Sequence, residues 1–114
     1  MPNQILTLVG ALNLALKQEM ARDPRVVLFG EDVGVEGGVF RVTENLQKEF
    51  GAQRCFDSPL SESGIVGTSI GLAINGMRPV CEIQFSGFFF EAFAQMLCHA
   101  ARMRNRSRGR TGVT

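Results

Sequence analysis

The run Asp57-Ser58-Pro59-Leu60-Ser61-Glu62-Ser63-Gly64 sets one carboxylate, Glu62, at the mouth of a glycine-rich segment. Pro59 stops whatever precedes it, and Ser61 is placed to cap a helix by accepting from its free amide groups. Glu62 then falls in the first helical turn. Two kinds of chemistry suit an acid there. It can serve a functional site at the helix mouth, or it can simply complement the helix dipole. On chemistry alone the second is the commoner use. Glycines 64, 67 and 71 follow close to one helical face, where another backbone or a flat ligand can approach.

The other chemistry-bearing residues are fewer. Glu31 lies in the loop Gly30-Glu31-Asp32-Val33-Gly34, and Phe88-Phe89-Phe90 offers an aromatic face. Cys55, Cys81 and Cys98 stand far apart among apolar neighbours with no metal-ligand spacing, and read as reduced, small core residues. The single histidine, His99, has no second ligand pair and reads as a surface or packing residue.

These residues need elements to position them. Thr7 to Arg22 has helical spacing, with Thr7 as cap and Asp23-Pro24 as stop. Val26 to Phe29 is a continuous apolar run, as expected of a strand buried on both faces. A short helix over Thr43 to Phe50 ends at Gly51, and Arg54 to Asp57 is a second strand. The glycine-rich helix runs from Glu62 to about Asn75. Arg78-Pro79 introduces a third strand, Val80 to Phe85. A last helix spans about Phe89 to Met103, with Phe93, Met96, Leu97, Ala100 and Ala101 as its apolar stripe. Alternating strands and helices predict an α/β fold, a parallel sheet with helices on both faces. Ligands of such sheets bind beyond the carboxyl ends of the strands, where the loops carrying Glu31, Glu62 and Phe88 converge.

Composition narrows the classes. The chain has 114 residues, 45% hydrophobic and 20% charged, with a formal net charge of +1, within the range of an ordinary globular domain. Met1-Pro2-Asn3-Gln4 has no basic start of a signal peptide, and no apolar run nears the ~20 residues that span a bilayer. The expected setting is cytoplasmic, with no membrane partner. Arg102 to Arg110 carries five arginines, yet no aromatic interleaving supports a nucleic-acid arm. The glycines of the 30–38 loop do not follow the dinucleotide fingerprint, and no phosphate-loop ending occurs.

From about Leu6 to Arg108 the chain resembles the N-terminal part of the β subunit of the thiamin diphosphate-dependent decarboxylating component of 2-oxo acid dehydrogenase complexes. The resemblance rests on several motifs in order: Ala21-Arg22-Asp23-Pro24-Arg25-Val26-Val27, Gly30-Glu31-Asp32-Val33-Gly34, Gly37-Gly38-Val39-Phe40-Arg41, Asp57 to Ile65, Arg78-Pro79 and Glu82-Ile83-Gln84-Phe85. It implies a transketolase-like pyrimidine-binding domain over residues 6–108, incomplete at its C-terminal end, followed by a tail over 109–114. Members continue into further strands and a C-terminal domain, whereas Thr111-Gly112-Val113-Thr114 does not read as the start of a strand. A fragment, inactive on its own, is therefore expected.

The same resemblance implies the chemistry. The cofactor is thiamin diphosphate, shared between two chains. The partner α subunit of an α2β2 heterotetramer holds the diphosphate and its magnesium, so no metal ligand is expected here. Glu62 matches the acid that exchanges a proton with ring nitrogen N1′, kept protonated by burial between subunits. The backbone of Leu60 matches an acceptor for the ring's amino group, and Phe88 an aromatic packed on the ring face. Glu31 matches no fixed role; it serves either an acidic proton path or a solvated loop. The implied reaction is oxidative decarboxylation of pyruvate with acyl transfer to a lipoyl-bearing acyltransferase core. Ser86 to Glu91 favours the pyruvate type over the branched-chain type, with acetoin third. The competing class is a non-catalytic module that only binds a partner chain.

Overall fold

The structure, a computed structural model, describes residues 5–113. Met1 to Gln4 and Thr114 lie outside the described residues. Three parallel strands form one sheet in the order β2-β1-β3, with β1 at Val26–Gly30, β2 at Cys55–Asp57 and β3 at Arg78–Glu82. The helices are α1 (Leu8–Arg22), α2 (Leu46–Phe50), α3 (Glu62–Ile74), α4 (Phe89–Cys98) and α5 (Met103–Arg106). The expected α/β class is borne out. Among the described residues no helix is long and apolar enough to cross a membrane.

Strand β1 is the centre, and all five of its residues are buried. Its side chains alternate between the two faces of the sheet. Val26 and Leu28 join Met20 of α1, Val33, Leu46 of α2 and Cys55 in one core. On the other face, α3 supplies Val66 and Ile70 to a second core with Ala92 of α4, and Cys81 and Ile83 pack against it. Helices thus cover both faces, as a parallel sheet requires.

Several boundaries move from expectation. Helix α2 begins at Leu46, not Thr43. Thr43 is 1% exposed and donates its hydroxyl to the Val33 carbonyl at 2.8 Å, while Asn45 takes a left-handed φ of 65°, so helical geometry starts only afterwards. Strand β3 occupies Arg78–Glu82 instead of Val80 to Phe85. Its only partner is β1, which ends at Gly30 opposite Glu82, so Ile83 onward has no strand to pair with. Pro79 is accommodated because β3 is an edge strand.

The last helix stops at Cys98 and is followed by a 3-10 turn, Ala100–Arg102, before α5. Cys98 and His99 are both poor at sustaining a helix. Its packing face also differs. Ala92 is fully buried, whereas Phe93, Met96 and Leu97 are 47%, 38% and 45% exposed, so the expected stripe is not the face laid on α3. Of the three free cysteines only Cys55 is fully buried; Cys81 and Cys98 are half-buried. His99 is exposed, as expected of a surface residue.

Candidate active site

The carboxyl ends of the three strands meet at one edge of the sheet, and each delivers a candidate residue there. Strand β1 ends at Gly30, so Glu31 is the first residue beyond it. The β2 strand runs through Ser58 to Leu60 into α3, whose cap is Ser61; its Oγ accepts from the Gly64 amide at 3.2 Å. Glu62 stands half-buried in the first turn of α3, as the cap predicts. Beyond β3 a short 3-10 turn, Ser86–Phe88, leads into α4.

Glu31 and Glu62 come close enough to influence each other. Burial raises the Glu31 pKa above its ordinary value first, the charge of Glu62 raises it further, and Asp32 adds to the effect. Phe88 is 46% exposed and meets Phe85 edge-on at 5.4 Å, and Phe85 meets Phe40 in the same manner at 5.5 Å. A ring half open to solvent beside its aromatic neighbours can take a further flat partner. Phe90 is 77% exposed and points away from any core, while Phe89 pairs with Phe93 at 6.1 Å. Leu60, 81% exposed, contributes no packing of its own side chain.

The glycines of α3 serve different ends from those expected of a single ligand face. A Cβ at Gly64 would fall 2.9 Å from Ser61 Oγ, so this glycine keeps room for the helix cap. One at Gly67 would meet Gln95 of α4 at 3.5 Å, and Gly71 faces open space. A cavity of about 340 Å³ lies beside the segment, walled by Phe29, Phe56, Pro59 and Ile65, but Glu62 does not line it. The acid pair and this cavity are separate features of the edge.

Three residues at this edge were not singled out in the sequence. Gln84 donates through Nε2 to the Glu31 carbonyl at 3.2 Å and to Asp32 Oδ2 at 3.1 Å, fixing the loop that carries Glu31. Asp32 is the second residue beyond β1 and takes φ 57°. Glu82 buries Oε2 without a hydrogen-bond partner. Its signal in the sequence is a carboxylate inside the apolar run Val80-Cys81-Glu82-Ile83, where an acid needs a reason to be. Cys55, by contrast, is inert: burial raises its thiol pKa to about 11, with Asp57 adding to the effect.

Comparison with known proteins identifies the family. The family described as "Transketolase, pyrimidine binding domain" matches residues 5–114. The chain is 57% identical over 109 residues to the pyruvate dehydrogenase E1 component subunit beta of Acholeplasma laidlawii, covering 96% of this chain and 33% of that one. It is 61% identical over 104 residues to the protein of the same name from Staphylococcus epidermidis, covering 91% and 32%. It is 59% identical over 106 residues to the 3-methyl-2-oxobutanoate dehydrogenase subunit beta of Mycobacterium tuberculosis, covering 93% and 30%. The chain spans about a third of the length of the curated relatives it matches. It belongs to the transketolase pyrimidine-binding domain family, and its relatives there are β subunits of 2-oxo acid dehydrogenases.

Proposed function

We propose that this chain supplies the aminopyrimidine half of a thiamin diphosphate site in a 2-oxo acid dehydrogenase, with pyruvate as substrate and Glu62 as the proton-exchanging acid. The observation that carries the reading is the convergence of Glu31, just beyond β1, and Glu62, in the first turn of α3, at the sheet's carboxyl edge, near enough for the charge of Glu62 to act on Glu31. The donor set fits the ring end of the cofactor. Carboxyls suit a ring nitrogen and an exocyclic amine, and the half-open face of Phe88 suits a flat heterocycle. When bound, thiamin diphosphate supplies the carbanion chemistry that releases carbon dioxide from a 2-oxo acid.

In this reading Glu62 holds a proton against N1′ and takes it back, and burial by a second chain keeps that proton in place near neutral pH. Glu31 receives or returns it along the acidic edge. Phe88 packs on one ring face, and the backbone of Leu60 accepts from the ring's amino group. The diphosphate and its magnesium are assigned in this reading to the α subunit of an α2β2 assembly. The acyl product passes to a lipoyl-bearing acyltransferase in the cytoplasm. A second reading takes 3-methyl-2-oxobutanoate as substrate, which the name of the Mycobacterium tuberculosis relative favours.

The test restores the chain to a full-length β subunit with its α partner. Glu62→Gln keeps the side-chain volume but cannot exchange the proton, so decarboxylation should fall ~100- to 10,000-fold with assembly intact. Activity within a few-fold of the parent would remove Glu62 from this role. Comparing pyruvate with 3-methyl-2-oxobutanoate on the parent separates the two substrates.

A further inference from the structure

Glu82 is the last residue of β3 and lies in register with Gly30, the last of β1. The two strand ends approach so closely that a Cβ at Gly30 would fall 2.8 Å from the Glu82 carbonyl oxygen and 3.0 Å from its Cβ. The Glu82 carboxyl reaches under the loop after β1. A Cβ built on Gly38 would stand 3.6 and 3.7 Å from its two oxygens, so the carboxyl lies beside the place where a side chain at 38 would be. That loop is folded back on itself: the Gly38 amide donates to the Asp32 carbonyl at 2.7 Å, and Gly37 and Gly38 take φ of 76° and 79°. The Gly34 amide donates to Asp57 Oδ1 of β2 at 2.6 Å. Glu31 and Asp32 begin this same loop.

The surroundings of Glu82 suit a neutral carboxyl and not an ionised one. None of the ion pairs among the described residues includes it. The charged group that acts on it is Asp32 in the loop, also an acid. Arg41 is engaged with Glu36 on the loop. Its strand neighbour Gln84 is turned to Glu31 and Asp32. Thr43 Oγ1 also reaches the Gly38 position, at 3.3 Å from the same built Cβ, but its hydrogen is given to the Val33 carbonyl. A buried neutral acid without a full set of partners costs far less than a buried unpaired charge.

We propose that Glu82 is a positioning residue: as an uncharged carboxyl it lets the Gly30–Gly38 loop close beside it, with Glu31 near Glu62, and it opens the loop when it ionises. Only the consequence for Glu31 rests on the cofactor reading above; the latch itself is a property of the loop. Burial, and then the charge of Asp32, raises the Glu82 pKa above its ordinary value, which supports the geometry. The sign follows. The folded chain holds this proton to higher pH than the unfolded chain, so the latch is intact at acidic pH. It weakens as pH rises from the ordinary carboxyl range through the raised folded value.

The experiment is amide hydrogen exchange on the full chain, read as protection of Gly34 and Gly38 relative to Leu28 in the sheet, from about pH 5 to about pH 9. In the parent, protection of Gly38 should fall by ~10-fold or more across the ionisation of Glu82, while Leu28 stays unchanged. Glu82→Gln, neutral at every pH, should hold that protection flat. The carboxyl carbon of Glu82, followed by nuclear magnetic resonance in the parent, should titrate with the same midpoint; this reading decides the matter if the variant does not fold. Loop protection that stays flat through the Glu82 titration overturns the proposal. So does a Glu82→Gln chain with the parental pH dependence. Neither readout depends on cofactor or turnover, so failure here and failure of the Glu62 assignment are distinguishable.

Discussion

Arg54 donates to the Val26 carbonyl twice, from Nε at 3.1 Å and from Nη2 at 2.8 Å. The same Nη2 reaches the carbonyls of Met20 at 2.8 Å and Asp23 at 2.9 Å, and the guanidinium lies 5.5 Å over the Phe50 ring. One side chain thus closes the end of α1, the turn after it and the start of β1 against the segment leading into β2. Lysine cannot reproduce this fork. Arg54→Lys should lower stability by about 2 to 3 kcal/mol, the scale of charge-assisted hydrogen bonds left unmade, measured by urea unfolding. A loss below a few tenths of a kcal/mol would show that water replaces the guanidinium freely.

Phe88 gives a test of ring packing against simple core packing. Being nearly half exposed, it should contribute little without cofactor. In the two-chain enzyme, Phe88→Ala should lower the melting temperature of the cofactor-free form only by the loss of the Phe85 contact, about 0.5–1.5 kcal/mol. With thiamin diphosphate and magnesium the drop should be larger. Equal drops in both conditions would assign Phe88 to the core and leave Phe89 or Phe90 as the ring's neighbour.

Asp23 sets an acid limit. Hydrogen bonds from the Arg25 side chain and backbone lower its carboxyl to about 2, and the charges of Arg25 and Arg78 assist. Its folded pKa lies below the unfolded value of about 3.9, so its contribution is full above that value and is lost as pH falls toward the folded one. Asp23→Asn should flatten this part of the stability–pH curve while leaving the neutral region parallel. An unchanged acid limb would mean that other carboxylates dominate it.

The cysteines should separate by reactivity. Cys55, with its thiol raised to about 11 and no exposed surface, should resist iodoacetamide until the chain unfolds. Cys81 and Cys98, half-buried, should label in the native chain. Mass spectrometry of native and unfolded samples reads the difference directly; native labelling of Cys55 would indicate local opening of the first core.

Much of the architecture could be read from the chain because its signals are local. The apolar run Val26 to Phe29, the caps Thr7 and Ser61 and the glycine stop at 51 each act within a few residues, and the structure places α1, β1 and α3 accordingly. What sequence reading missed depends on contacts between distant segments. The length of β3 is set by where β1 ends, and the start of α2 by a hydroxyl bond from Thr43 to Val33. The face of α4 that packs is chosen by Ala92, small enough to lie on α3, and not by the larger apolar residues. At the candidate site, Glu62 and Glu31 stood out by type and loop position. Gln84 and Glu82 did not, because their meaning lies in what the loop across the sheet brings to them.

The position of β1 has a bearing on how the chain acquires its shape. Among the described residues it is the first strand in chain order and the middle one of the sheet, and both of its neighbours come later, each after a crossover containing a helix. Every strand pairing is therefore long-range, and loop-closure entropy must be met twice before β1 is satisfied on both edges. On the ribosome, a nascent chain that has just emerged past Gly30 exposes its most apolar strand with nothing to pair it. The interval until Glu82 emerges is the period in which this chain most needs a chaperone.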